Sequence, residues 1–200
     1  CALEHGIEVY QPQKVRDSEC IERLRTYHPD IIIVEAFGQI IPRAILDMPR
    51  YGCVNVHASL LPKYRGAAPI QWAVINGDAV TGVSIMYMAP ELDAGDVILC
   101  RETAIDPDED AVTLTTRLAE LGAEALSEAI GQIENGTVTR TPQDHAAHTY
   151  AAMLDKSLSP LDFTRPARQL HDQVRGLVPW PSASMELAGK PVKIHRTAVG

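Results

Sequence analysis

Three polar side chains have the types and positions expected of acid–base chemistry. Asn55 and His57 lie two residues apart in an otherwise apolar segment. At this spacing in a strand both side chains share one face, where polar groups are costly unless they are hydrogen-bonded. Asp93 lies in a glycine-containing loop, and a carboxylate that reaches a histidine holds its tautomer for proton transfer. Spacing alone leaves open whether Asp93 reaches His57 or only forms a turn.

The segment after His57 changes from apolar to basic to small residues. Residues 59–62 are mainly apolar, Lys63 and Arg65 are basic, and residues 66–69 are small. The apolar part can wall a pocket for a flat ligand, and the N–H groups that start the next helix can meet an anion. The alternative is an ordinary strand-to-helix connection with solvated basic side chains.

The elements that must position these residues alternate between strands and helices. The patterns predict strands at residues 7–10, 31–34 and 52–57, and helices at 18–27, 42–48 and 66–76. The run at 31–34 is wholly β-branched, which favours a parallel strand covered on both faces. We therefore expect an α/β fold built on a βαβ sheet, in which ligands lie beyond the carboxyl ends of the strands.

The second half of the chain departs from this alternation. Strands at residues 81–88 and 96–104 are predicted to form a hairpin-like pair, followed by a long helix that ends at Asn135-Gly136. A helix is predicted at 164–177, then a β-hairpin that turns at Gly189. We predict three parts: an α/β domain at 1–137, a linker at 138–163, and the start of a second, β domain at 164–200.

Composition and charge exclude several classes of protein. The longest aliphatic run, at 31–34, is far shorter than the roughly 20 residues of a membrane span. Four scattered cysteines and no visible leader indicate a reducing, cytoplasmic compartment without membrane association. Residues 1–150 carry a net charge of −11 and residues 151–200 a net charge of +3. The acidic part argues against DNA as a partner, and only the tail favours a polyanion.

Three motifs together resemble the folate-dependent formyltransferases. They are Asn-x-His-x-Ser-Leu-Leu-Pro-x-x-Arg-Gly-Ala-Ala-Pro at 55–69, Gly-Val-Ser-Ile at 82–85 and Leu-Asp-x-Gly-Asp at 92–96. The resemblance extends from about residue 8 to residue 181. It implies a Rossmann-like sheet and direct transfer of a formyl group from 10-formyltetrahydrofolate to an amine, without a metal. It also implies that the family's first strands and most of its C-terminal, OB-like β-barrel lie outside this sequence.

The resemblance assigns expected roles residue by residue. Asn55 would hold the formyl oxygen, His57 would stabilise the oxyanion of the tetrahedral intermediate and move protons, and Asp93 would hold or charge His57. Arg65 and Lys156 would contact the acceptor. The residues expected around the folate are Gly38, Gln39, Ile40, Ile41, Ser59, Leu60, Leu61, Pro62, Ala89, Pro90, Glu91 and Leu92.

The sequence is most similar to the family members that act on initiator methionyl-tRNA. We expect the protein to be a monomer. Alternatives are an amino-sugar nucleotide as acceptor, hydrolysis of the formyl donor by water, and a non-catalytic folate- or RNA-binding module. Three positions depart from the family pattern. Pro90 replaces an acidic or apolar residue, Glu35 follows a strand where a small apolar residue is usual, and Met153 replaces one of two lysines. A buried Glu35 would need a partner or a raised pKa.

Two other features have weaker functional interpretations. Cys53 shares the face of Asn55 and His57, and we expect it to fill the core rather than act as a nucleophile. His145 and His148 have a spacing that could bind a metal on a helix, but their surroundings resemble a linker.

Overall fold

A computed structural model describes residues 1–200 as five α-helices, eight strands and two 3₁₀ turns. The helices are α1 (Ser18–Thr26), α2 (Arg43–Leu46), α3 (Pro69–Ile75), α4 (Ala111–Glu134) and α5 (Ala167–Gly176), and the 3₁₀ turns are Leu3–His5 and Lys156–Leu158. The strands are β1 (Ile32–Val34), β2 (Cys53–His57), β3 (Arg65–Gly66), β4 (Val80–Tyr87), β5 (Val97–Ala104), β6 (Tyr150–Ala151), β7 (Ala183–Leu187) and β8 (Lys190–Ile194). None of the helices is long and apolar enough to cross a membrane.

The main sheet is mixed, in the order β1-β2-β4-β5. β1 and β2 are parallel, whereas β4 runs antiparallel to both β2 and β5. The predicted β4–β5 hairpin pair is confirmed, and the sheet is mixed because β4 also pairs antiparallel with β2. Because Val54 is paired with Tyr87, the loop after β4 leaves the sheet at the start of β2. That loop must fold back along β2 to bring Asp93 to His57 at the opposite end.

The core lies between β2, β4 and the long helix α4. Leu114 and Leu118 of α4 are buried in one cluster with Val54, Val83 and Ile85. Asp110 caps the start of this helix, and its carboxylate accepts a hydrogen bond of 2.8 Å from the N–H of Thr113. It ends before Asn135-Gly136, as predicted. This packing fixes one face of β2 and leaves the face of Asn55 and His57 for the loops.

Two expectations about the N-terminal part are wrong. Residues 7–10 form no strand, and Tyr10 instead packs against a buried cluster that contains Cys20. β1 lies at the sheet edge, and Ile33 is 36% exposed although the β-branched run predicts burial on both faces. The parallel pairing of β1 with β2, which the same run predicts, is confirmed.

The segment predicted to be a linker, residues 138–163, pairs with the loop that follows β2. β3 and β6 are parallel, with Arg65 opposite Tyr150 and Gly66 opposite Ala151. The predicted helix at 66–76 therefore begins only at Pro69, since the preceding residues are engaged in this pairing, and proline is favoured at a first helical position. Farther along, α5 packs on α3, and β7 and β8 form the predicted hairpin around Gly189.

Candidate active site

His57 ends β2 and is 5% exposed, with both ring nitrogens facing defined groups. Its Nε2 lies 2.9 Å from the backbone oxygen of Tyr64. Because a carbonyl oxygen only accepts hydrogen bonds, Nε2 must carry a proton. Nδ1 is then the nitrogen that can gain or lose a proton. Asn55 lies two residues earlier on the same face and is half-buried.

Asp93 reaches His57 across the folded-back loop. Its Oδ2 accepts a 2.8 Å hydrogen bond from the N–H of Gly66 and lies 3.8 Å from Nδ1 of His57. The second distance is too long for a hydrogen bond but close enough for attraction to a positive imidazolium. Asp93 has a left-handed φ of 47°, a conformation that aspartate tolerates better than most residues. The structure thus brings Asp93 close to His57, which spacing alone left open, and the turn geometry accounts for the approach.

Tyr64 orients His57 through its backbone and was not singled out from the sequence. Its φ of 60° is rare for an aromatic residue, and this conformation presents its carbonyl oxygen to the imidazole. The phenol donates a 2.7 Å hydrogen bond to Asp78 and accepts one of 3.0 Å from Asn76. Burial, with a smaller contribution from the Asp78 carboxylate, raises the pKa of Tyr64 to about 12. The side chain is therefore a neutral anchor for a strained turn.

The loop at residues 59–62 is held by β4. The hydroxyl of Ser84 donates to the backbone oxygen of Ser59 at 2.7 Å and accepts from the N–H of Leu61 at 3.0 Å. Gly82 provides the space below, because a Cβ there would lie 2.6 Å from a methyl carbon of Leu60. The Gly-Val-Ser-Ile motif thus forms the floor of this loop.

The other two predicted donor-binding loops approach each other around β2. Ile41, from the loop after β1, and Met88, from the loop after β4, pack against the same apolar cluster as Cys53. Ile40 and Leu92 are 88% and 59% exposed, so their apolar side chains are available to a ligand. The exposed apolar side chains of these loops, here called the apolar rim, suit contact with a flat heterocycle with polar edges.

Arg65 lies in a different environment from the one expected. It is only 7% exposed, and its guanidinium donates to Oε1 of Gln143 at 2.7 and 3.1 Å and approaches Nδ1 of His145 at 3.3 Å. These contacts hold Arg65 inside the protein, in contrast to the predicted contact with an acceptor and to the alternative of a solvated side chain. Lys156 is exposed, and its contact with an acceptor stays a prediction.

The structure also locates the remaining sequence candidates. Cys53 is 3% exposed, its thiol faces the backbone oxygen of Ile45 at 3.5 Å, and burial raises its pKa to about 11. This confirms Cys53 as a core residue. Glu35 is exposed rather than buried, although partial desolvation still raises its pKa. His148 faces the backbone oxygen of His145, and no three metal-ligating side chains converge around them.

Comparison with curated sequences identifies close relatives. The chain is 53% identical over 199 residues to a methionyl-tRNA formyltransferase of Agathobacter rectalis, covering 100% of this chain and 64% of that protein. It is 48% identical over 198 residues to a methionyl-tRNA formyltransferase of Clostridioides difficile, covering 99% of this chain and 64% of that protein. The chain thus spans 64% of the length of each of these two relatives.

Solved structures share the fold at lower identity. HypX from Aquifex aeolicus in complex with tetrahydrofolic acid matches 86% of this chain and 30% of its own, with a TM-score of 0.75 and 24% identity. A likely sugar N-formyltransferase from Mycobacterium tuberculosis matches 100% of this chain and 90% of its own, with a TM-score of 0.76 and 24% identity. Residues 2–130 match the formyl transferase family, and residues 153–200 match the formyl transferase C-terminal domain. The chain belongs to the formyl transferase family.

Proposed function

We propose that this chain carries the catalytic centre of an enzyme that transfers a formyl group from 10-formyltetrahydrofolate to the amino group of initiator methionyl-tRNA. The observation that carries the proposal is the fixed position of His57, between the Tyr64 carbonyl oxygen at 2.9 Å and the Asp93 carboxylate at 3.8 Å, on the face that also presents Asn55. The names of the curated relatives support the choice of acceptor.

In the proposed reaction, a bond forms between the acceptor nitrogen and the formyl carbon, and the bond from that carbon to N10 of the folate breaks. The acceptor amine loses one proton, and N10 gains one, so the exchange needs no oxidant or metal. Asn55 donates a hydrogen bond to the formyl oxygen and stabilises it as negative charge develops. Nδ1 of His57 accepts the amine proton and supplies a proton for N10.

Asp93 supports the charged state of His57. With Nε2 already protonated and bound to Tyr64, a second proton on Nδ1 makes the ring a cation that faces the carboxylate. Both groups are largely buried, with side-chain exposures of 6% and 13%, so the attraction is weakly screened. The hydrogen bond from Gly66 keeps the carboxylate in place while the imidazole changes charge.

The formyl donor is proposed to bind between the three loops at 38–41, 59–62 and 89–92. The Ser84 contacts keep the second loop rigid, and the apolar cluster around Cys53 joins the first and third. The acceptor is proposed to reach the site past the linker, where Lys156 is exposed beside the exposed apolar side chain of Met153. A lysine there would attract a phosphate of the acceptor stem.

The direct test is a competition between acceptors with the full-length protein. With 10-formyltetrahydrofolate supplied, we expect formyl-methionine after mild hydrolysis of initiator methionyl-tRNA, and little turnover with amino-sugar nucleotides or with water alone. Efficient formylation of an amino sugar, with no product on methionyl-tRNA, would support formyl transfer as the reaction but contradict methionyl-tRNA as the acceptor. Binding of the folate by a folded protein with no transfer to any acceptor would contradict the proposed activity.

A further inference from the structure

Gln143, in the linker, uses its whole amide to join two loops of the site. It is 7% exposed. Its Oε1 accepts two hydrogen bonds from Arg65, while its Nε2 donates to the backbone oxygens of Asp93 and Gly95 at 2.9 and 2.8 Å. All four hydrogen-bonding positions of the amide are thus filled by protein. Neither end of the amide can be exchanged without leaving a buried group unpaired.

The loop around Asp93, which Gln143 holds, is conformationally restricted. A Cβ at Gly95 would lie 1.8 Å from the backbone oxygen of Tyr87, so the backbones touch there and only glycine fits. Asp93 has a positive φ, which is unfavourable outside a supporting framework. The two carbonyl groups held by Gln143 flank this turn. They therefore determine the direction in which the Asp93 carboxylate leaves the backbone.

The Oε1 end of the Gln143 amide fixes the backbone group that binds the Asp93 carboxylate. Arg65 precedes Gly66, whose N–H donates to Asp93 at 2.8 Å, and the backbone N–H of Arg65 donates to Thr149 of the linker at 2.9 Å. One side chain from the linker thus sets the positions of both the Asp93 backbone and the N–H group that binds its carboxylate.

We propose that Gln143, through Arg65, is a positioning residue for Asp93, so that the linker controls the geometry of the catalytic carboxylate and imidazole. Gln143 touches no reacting atom. It acts on the distance between Asp93 and His57. The inference rests on the proposed formyl transfer only in the test that measures turnover. The Arg65 guanidinium is then the buried partner of Gln143 rather than a ligand for the acceptor.

The test uses Gln143→Glu in the full-length protein, with Gln169→Glu, at an exposed position on α5, as the matched control. The new carboxylate keeps a partner for Arg65 but replaces the two N–H donors with an oxygen that faces two carbonyl oxygens. Because a displacement of about 1 Å can cost up to about 100-fold in rate, we expect kcat to fall at least about tenfold, with a smaller change in the KM for the acceptor. The control should match the parent.

A second readout does not depend on turnover. The hydrogen exchange rate of the Gly66 amide reports the contact with Asp93, and we expect Gln143→Glu to accelerate it while amides in α4 keep their rates. A parent that transfers no formyl group would refute the proposed function, and the Gly66 amide would still decide the role of Gln143. Parent-like kcat and parent-like Gly66 exchange would overturn the inference.

Gln143→Met provides the variant for the case in which the added charge prevents folding. It keeps a similar volume and removes both hydrogen-bonding ends. We expect a folded protein with the same loss of kcat and the same faster exchange at Gly66. If both variants lose the cooperative thermal transition while Gln169→Glu keeps it, Gln143 is a general stability residue and the proposed positioning role is wrong.

Discussion

The protein contains two clusters of buried polar side chains, and we propose chemistry for only one of them. The first is the site around His57. The second, here called the junction cluster, is formed by His171, Asp172 and Arg175 of α5 where they meet the loop before α4. In the junction cluster, Arg175 binds Asp172 at 2.9 Å and the backbone oxygen of Glu109 at 2.8 Å.

The two histidines show the difference. Nδ1 of His171 faces the hydroxyl of Thr197 at 3.0 Å, and Nε2 faces the backbone oxygen of Pro107 at 3.2 Å and the carboxylate of Asp108 at 3.3 Å, so both nitrogens have hydrogen-bond partners. His57 has one such partner, and its second nitrogen faces a carboxylate beyond hydrogen-bond distance. Burial and a nearby carboxylate are therefore common to both clusters. The nitrogen without a hydrogen-bond partner distinguishes the cluster for which we propose chemistry.

The largest expected effect within this comparison comes from Asp93→Asn. The remaining amide oxygen can still accept the hydrogen bond of Gly66, so the fold should persist, but the charge that stabilises the His57 cation is gone. We expect kcat for formyl transfer to fall by about 10²–10⁴-fold, the usual range for general acid–base catalysis. Rapid-quench kinetics and a thermal melt measure the two effects. An unchanged kcat would remove Asp93 from the mechanism.

Arg175→Met should have the opposite profile. Arg175 and Asp172 have side-chain exposures of 5% and 6%, and removing one partner leaves the other charge buried. Asp172 keeps Arg168 as a second partner at 3.1 Å, so we expect the free energy of unfolding to fall by about 1.5–3 kcal/mol, with the activity per folded molecule unchanged. Urea denaturation gives the first quantity, and kcat corrected for the folded fraction gives the second. A stable but inactive variant would show that the junction cluster acts on the reaction.

Tyr64→Phe should produce a smaller loss of both stability and rate. It removes the hydrogen bonds to Asp78 and Asn76, worth about 1 kcal/mol each, and loosens the turn that holds His57. Since the pKa of Tyr64 is about 12 in the folded protein and 10.0 ordinarily, its stabilising contribution is present below pH 10 and is lost as the pH rises toward 12. Denaturation between pH 9 and 11 (about one unit either side of that ordinary pKa) should show less alkaline destabilisation in the variant. An identical pH dependence would contradict the assigned shift.

The smallest effect concerns Cys53, which shares the face of the site without taking part in it. Because burial raises its pKa to about 11, the reactive thiolate is scarce near neutral pH. We expect iodoacetamide to label the exposed Cys1 and Cys100 first and Cys53 only on unfolding. Peptide mass spectrometry measures each site. Fast labelling of Cys53 in the folded protein, with loss of activity, would place its thiol in the site.

The sequence predicts the parts of this site that depend on local spacing. The shared face of Asn55 and His57 follows from strand alternation, and the motif around Asp93 carries the resemblance to the family. The start and end of α4 follow from Asp110 and Asn135-Gly136, which are local signals. Most elements were predicted within a few residues for the same reason.

What the sequence could not supply depends on contacts between distant residues. Gln143 lies 78 residues from Arg65, and no periodicity or charge pattern links them. Tyr64 acts through a backbone carbonyl, so its residue type gives no signal. The antiparallel direction of β4 relative to β2 depends on strand order, which hydropathy does not encode. Arg65 looks like a solvated or substrate-binding residue until its buried partner is known.

The most direct test of the central claim is formyl transfer by His57→Ala in the full-length protein. With 10-formyltetrahydrofolate and charged initiator tRNA, the parent should produce formyl-methionine. The variant should bind the folate within a few-fold of the parent, because His57 holds no part of the apolar rim, and should form no formyl-methionine above background. Parent-like turnover by a folded His57→Ala variant would contradict the assignment of this site.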